Sequence, residues 1–588
     1  MFHQLCADAP PTELAPDPDI SGIGVTVAYT STAALALLLV IADYIFVYHP
    51  DTASAADREG IKHDHPSKVN PIDEYLLYWR LGTNREIRGI ERWGEKGLRV
   101  KNAATHAILT MSDFQLVTGL SILISGFTQL DSGISAYHWQ RLVQLAWFSS
   151  VTHLCTLTAL RNYFRRNTLG YFWRLPGMVI LIMMLIVALV PTGHYTWESV
   201  TIRWAQRDSV TIRPKPTDPA VCYFNRHEGG CENEYAELCE EVFQASQQRM
   251  ILSAAFLGVG MCNRLWHLFR LPVRLYNSSR SVSSDMCKTV LSHMHKWTTS
   301  WTLWGSIPFG IFVYHPCLAL FLALRLLADI ITSRAFEVWW LIVSFCWGSL
   351  NLWMRSTLNE GGRDTWTFGQ VMALLVVFAP VITLIEGYAK ATTQSLTPNR
   401  MLDTVNTIEF LTLDSRAPSS LVSLISKPVP NNDDFVNPHP AHDYYHERFS
   451  FPILVYSTLC SVVIVSFLLL VALRTQDIRP SDIVSSYATS FRFFLVPPVH
   501  VILGFLGMCV LLSLYCEIER PRGKAYRYWC RTLQFGLFVG VLIVPSFSYT
   551  LVYYLAMICA LFWLILSGVH AFRRYKHKRR KELLATGA

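Results

Sequence analysis

The chain has 588 residues, of which 51% are hydrophobic, 13% aromatic and 16% charged, with a formal net charge of +8. Soluble domains carry about 25% charged residues, so this composition excludes an ordinary soluble fold and points to a membrane protein. The basic residues gather between apolar runs and in the terminal "FRRYKHKRRKE" (572–582), a distribution suited to an anionic membrane face and not to nucleic acid.

The apolar runs are continuous, as in "VILIMMLIVALV" (179–190), where a β-barrel would alternate. The expected fold is therefore an all-α polytopic bundle. The N-tail holds Asp8, Glu13, Asp17 and Asp19 without Lys or Arg and lacks the basic start of a cleavable signal peptide. A first span follows at 24–47. Ten Lys and Arg between Arg58 and Lys101 then assign 51–104 to the cytoplasm and the N-tail to the outside.

Further spans are expected at 114–130, 138–160, 175–192 and 244–263. The loop "DSGISAY" (131–137) has no basic residue and reads as outer, "RNYFRRNTLGYFWR" (161–174) as inner, 193–243 as outer and the basic 264–296 as inner. The segment 300–314 is apolar but holds Gly305, Pro308 and Gly310. Spans then follow at 316–332, 336–354 and 367–388. A polar linker, 389–449, joins residues 1–388 to a C-terminal four-helix module, 450–588, with spans at 451–473, 493–515, 533–547 and 550–571. Counting 300–314 gives thirteen crossings and the cytoplasmic C-terminus expected from the basic 516–531 and C-tail, and omitting it gives twelve and reverses that end; thirteen is the expected count.

Of the fourteen cysteines, Cys6, Cys222, Cys231 and Cys239 fall on the outer side, where two disulfides in any of three connectivities are expected. The sequon Asn277-Ser278-Ser279 lies on an inner loop and is expected to stay unmodified.

Three stretches, "PDPDISGIGV" (16–25), "DFQLVTGLSILISGFTQLDSGISAYHWQRLVQLAWFSSVTHLCTLTALRNYF" (113–164) and "TFGQVMALLVVFAPVITLIEG" (367–387), together resemble a family of multi-pass membrane proteins of filamentous ascomycete fungi. The resemblance covers residues 16–388. It implies an integral membrane protein and carries no established activity.

The residues with most chemistry lie in "RLLADIITSRAFEVWW" (325–340). Arg325 and Asp329 are four apart and Arg334 and Glu337 three apart, so each pair shares a helix face. Charges inside a bilayer cost about 2.5–3.5 kcal/mol each on insertion scales. They are expected either to line a polar pathway or to pair, with Arg334 and Glu337 at a turn between spans. Asp113, Gln144 and His153 are the other candidates for such a path, and Gln140 shares a face with Gln144, with Arg141 beside it. Small residues at Ser121 and Ser125 offer a close-packing face.

His442 and His446 in "HPAHDYYHERF" (439–449) have metal-ligand spacing, but the several histidine boxes of a membrane di-iron enzyme are missing. The chain also has no GxxxxGK[ST], HExxH, GxSxG or DHHC sequence. No metal, cofactor or catalytic residue is expected. The expected partners are the lipid bilayer and a small solute, in the secretory pathway or the plasma membrane. Three readings stay open: a transporter or channel, a scaffold or sensor using the outer loop and the linker, and a lipid-modifying enzyme.

Overall fold

The computed structural model of the chain describes Cys6 and residues 14–48, 70–80, 90–166, 168–195, 216–224, 236–300, 313–354 and 366–394. The residues at 301–312 and the last four expected spans lie outside these, as do the His442 and His446 motif and most of the linker. Apart from an isolated bridge between Ser135 and Pro219, the described residues form helices and turns.

The long helices are α1 (Ile23–Ala42), α2 (Ile90–Gln129), α3 (Ala136–Ala159), α4 (Thr168–Leu189), α5 (Ala236–Leu268), α6 (Arg270–Ser300), α7 (His315–Ile331), α8 (Arg334–Met354), α9 (Phe368–Val376) and α10 (Phe378–Gln394). Eight of the nine spans expected before residue 389 coincide with helices among these. Among the described residues, five stretches are long and apolar enough to cross a membrane: Pro18–Val47, Arg99–Gln129, Phe172–His194, Arg334–Leu352 and Phe368–Ala389. The protein is an all-α polytopic membrane protein.

The described residues divide into two compact units. One holds the chain through Leu275 and again from Ile331; the other holds Tyr276–Ile330. In the first unit α3 is central: every residue from Ala136 to Thr158 is buried. A helix enclosed by other helices meets no lipid, and this is why α3 can carry Gln, Ser, Thr and His along its length. Gly119 and Gly126 of α2 set the approach to α3. A Cβ at Gly119 would stand 2.3 Å from Ser149 Oγ, and one at Gly126 2.3 Å from Leu142 Cδ1. The small residues at this contact are therefore these glycines. Ser121 and Ser125, whose spacing offered a close-packing face, are exposed on another side of α2.

Local signals start the helices. The Ser135 side chain accepts the His138 N–H at 3.2 Å and opens α3. The N–H groups of Ala136 and Tyr137, orphans of the first turn, are taken by the carbonyls of Asp218 (2.7 Å) and Pro216 (3.1 Å). Residues 216–224 thus form a cap over the α2–α3 turn, and a disulfide between Cys6 and Cys222 ties the N-tail to that cap. The side chains of Cys231 and Cys239 lie outside the described residues.

The basic segment 264–296, expected as a loop, is helical. It completes α5 and then forms α6, and it places Arg264 in the core of the first unit. Helix α10 continues to Gln394, into the segment 389–449 that was expected as a linker.

Candidate functional site

Helices α3 and α8 run antiparallel, and their polar side chains gather at two levels. Arg141 donates to the Leu352 carbonyl at 3.3 Å, Gln144 Nε2 to the Asn351 carbonyl at 3.3 Å and Trp147 Nε1 to the Ser344 carbonyl at 3.0 Å. At the far end Arg161, just past α3, pairs with Glu337 near the start of α8.

At the first level lies a small cleft, partly open to the surroundings. Gln140, Gln144 and Trp147 come to it from α3, Thr192 from the turn after α4, Ser246, Arg249 and Ser253 from α5, and Trp347, Gly348 and Asn351 from α8. Trp347 Nε1 donates to Ser253 Oγ at 3.0 Å, so one wall is fixed by its own hydrogen bond. Gly348 brings α8 against Trp147, since a Cβ there would stand 2.4 Å from the ring. Gln144 Oε1 is buried and meets no hydrogen-bond partner among the described residues. A buried acceptor left open costs about 1–3 kcal/mol unless a donor reaches it, and the cleft is where one can.

Between the levels α3 continues with buried Ser149, Ser150, Thr152, His153, Thr156 and Thr158. The serines and threonines mostly return their hydroxyls to the preceding helical turn, as Thr152 does to Phe148 and Thr156 to Thr152. His153 Nδ1 lies 3.3 Å from Ser112 Oγ, while its Nε2 meets no partner among the described residues.

The second level is a buried cluster of charge. Asp73, in the short turn Pro71–Glu74, accepts the backbone N–H of Arg334 at 2.9 Å and of Ala335 at 3.0 Å, and the Tyr44 hydroxyl at 3.2 Å. Burial pushes its carboxyl up to about 6, against the lowering by those two backbone donors, the Tyr44 hydroxyl and the Arg334 charge. Arg334 lies 3.7 Å from Asp43 and over the Tyr48 ring at 5.5 Å. Arg264, fully buried, donates to the carbonyls of Leu154 (3.1 Å), Gly260 (2.8 Å) and Glu337 (3.1 Å) and to Thr158 Oγ1 (2.8 Å). Arg161 pairs with Glu337 and Arg334 with Asp43, while Arg264 is held by carbonyl and hydroxyl oxygens; buried charge persists where it is paired or hydrogen-bonded in this way.

The sequence-derived candidates are dispersed. Gln144 belongs to the cleft, His153 to the interval, and Arg334 and Glu337 to the charge cluster. Their ion pairs are with Asp43 and Arg161, and not with each other as their spacing suggested. Asp113 is held by both arms of Arg174 at 2.6 Å each, a bidentate clasp between α2 and α4. Arg325 and Asp329 belong to the second unit, where Asp329 is buried and pairs with Arg280 of α6.

Asp73, Arg161, Arg264, Ser246, Arg249 and Asn351 were not singled out from the sequence. For Asp73 a signal existed: Asn70-Pro71 is a helix start, and Asn70 Oδ1 accepts the Ile72 N–H at 2.9 Å. The others come from elements distant in the chain, and nothing local marks them.

A fungal protein, the "Elsinochromes biosynthesis cluster protein HP3" of Elsinoe fawcettii, is 33% identical to this chain over 145 residues. The match takes in 25% of this chain and 47% of that protein, so it spans about half the relative's length. The likeness to an ascomycete protein agrees with the resemblance read from the sequence. No family model and no solved structure matches the chain.

Proposed function

We propose that this membrane protein binds a small polar solute in the cleft between α3, α5 and α8 and moves it as a transporter or channel. The observation that carries the reading is Gln144 Oε1, a buried acceptor without a partner among the described residues, at the wall of a cleft lined by polar groups from four elements. A solute with an O–H or N–H donor would satisfy it, and Trp147 and Trp347 would sandwich an apolar or ring portion. The α3 helix continues from there, polar and enclosed, for about 25 Å by helical rise to Arg161 and Glu337. In this reading those ion pairs close the far end, and passage requires that they part. The relative's name ties that protein to a biosynthesis cluster for elsinochromes, and a setting beside small-molecule biosynthesis is proposed for this chain by likeness.

The test is a thermal-shift panel on the purified full chain with hexoses, mono- and dicarboxylates and hydroxylated aromatics. At least one class should raise the Tm of the wild type and leave that of Gln144→Leu unmoved. A panel without any shift, or a shift that survives in Gln144→Leu, removes the cleft from the function.

A further inference from the structure

Helix α6 carries an exposed apolar stripe. Leu275, Val282, Met286 and Val290 recur at helical spacing and are 62%, 62%, 67% and 54% exposed. The residues 270–300 hold ten serines and threonines beside five Lys and Arg, too polar a set to cross a bilayer. The helix is fixed from another side, where Arg280 pairs with the buried Asp329 of α7. A third arc, with Ser281, Asp285, Lys288 and Ser292, is polar. Just before it the chain breaks helix at Phe269, and Trp266 and Phe269 are both exposed there, aromatic residues of the kind that favour the membrane–water boundary.

One environment fits all three arcs at once. A helix lying in the plane of a membrane surface has apolar residues in the acyl boundary, polar ones toward water and basic ones at the phosphates. Only Asp285 offsets the five Lys and Arg of this helix. That imbalance suits an anionic lipid surface; a second copy would set basic α6 against basic α6. We propose that α6 is an interfacial helix that binds an anionic leaflet, with Leu275, Val282, Met286 and Val290 in the acyl boundary and Lys288 and Lys296 among the phosphates.

The experiment uses the full chain in nanodiscs of phosphatidylcholine, with or without phosphatidylserine, and with all cysteines except Cys6 and Cys222 replaced by serine. A bimane label is placed at Val282→Cys or at Ser281→Cys, and brominated acyl chains serve as the quencher. Quenching should be at least twofold stronger at 282 than at 281. It should rise further with phosphatidylserine and lose that rise in Lys288→Gln/Lys296→Gln. Equal quenching at both positions would overturn the proposal, as would a stripe shielded in proportion to protein concentration whatever the lipid, which would mark contact between copies. A stripe that is quenched equally with and without phosphatidylserine would refute the anionic preference.

Discussion

The Asp73 carboxylate caps the helix that begins at Arg334, accepting its backbone N–H at 2.9 Å across 261 positions of sequence. The start of α8 is thereby tied to a short turn from the segment after the first span. Replacing Asp73 with Ala leaves the first N–H groups of α8 without this acceptor and should lower stability by about 1–2 kcal/mol. Thermal unfolding of the full chain in detergent measures it, and an unchanged Tm would show that water replaces the cap.

The same carboxyl gives a pH dependence. Its folded value is raised to about 6, whereas an unfolded Asp titrates near 3.9. Between these values the folded chain binds more protons than the unfolded one, so this group's contribution to stability falls as pH rises through that window. The difference in Tm between the wild type and Asp73→Asn should therefore change between about pH 4 and 6 and level off above. A difference independent of pH would place Asp73 in contact with bulk water.

Glu337 is buried and faces Arg161. Removing one partner of such a pair strands the other, at a cost of about 3–5 kcal/mol, while removing both costs far less. Arg161→Met should therefore destabilise more than Arg161→Met/Glu337→Met. Additive losses in the double-variant cycle would mean that the pair is not coupled.

The disulfide between Cys6 and Cys222 should keep both thiols from a maleimide until reductant is added. In Cys6→Ser, Cys222 should label without reduction. Labelling of both cysteines in the untreated wild type would contradict the bond.

We propose from the loop charges that the N-tail and residues 193–243 lie outside and the C-terminus inside; a tag inserted at Gly229 should then be reached by antibody on intact cells, and a tag after Ala588 only after permeabilisation. Both tags on one side would contradict that topology.

Much of the fold was legible because the bilayer imposes continuous apolar runs, and these located α1, α4, α8 and the α9–α10 pair closely. Burial without lipid contact was not legible. Hydropathy registers α3 as only moderately apolar, yet it is the most enclosed helix of its unit. The charges showed a related gap. Spacing along one helix put Arg334 with Glu337, but each is nearer in space to groups from other elements, Asp43 and Arg161. Arg264 looked like one more cytoplasmic cation, since its four acceptors lie on other helices or one turn back on its own. The cleft was half visible, through Gln140 and Gln144 on one face of α3, and the other half required α5 and α8.

The measurement closest to the central claim is thiol access to the cleft. Asn351→Cys and, as the enclosed control, Ser150→Cys are introduced into the full chain with only Cys6 and Cys222 retained, and a small membrane-impermeant methanethiosulfonate is applied from each side. Rapid modification is expected at 351 from the outer side, none at 150, and slower reaction at 351 in Gly348→Ala, where the new methyl meets Trp147. A residue 351 that stays unreactive from both sides in a folded protein would mean that the cleft is sealed, and the solute-binding reading would fail.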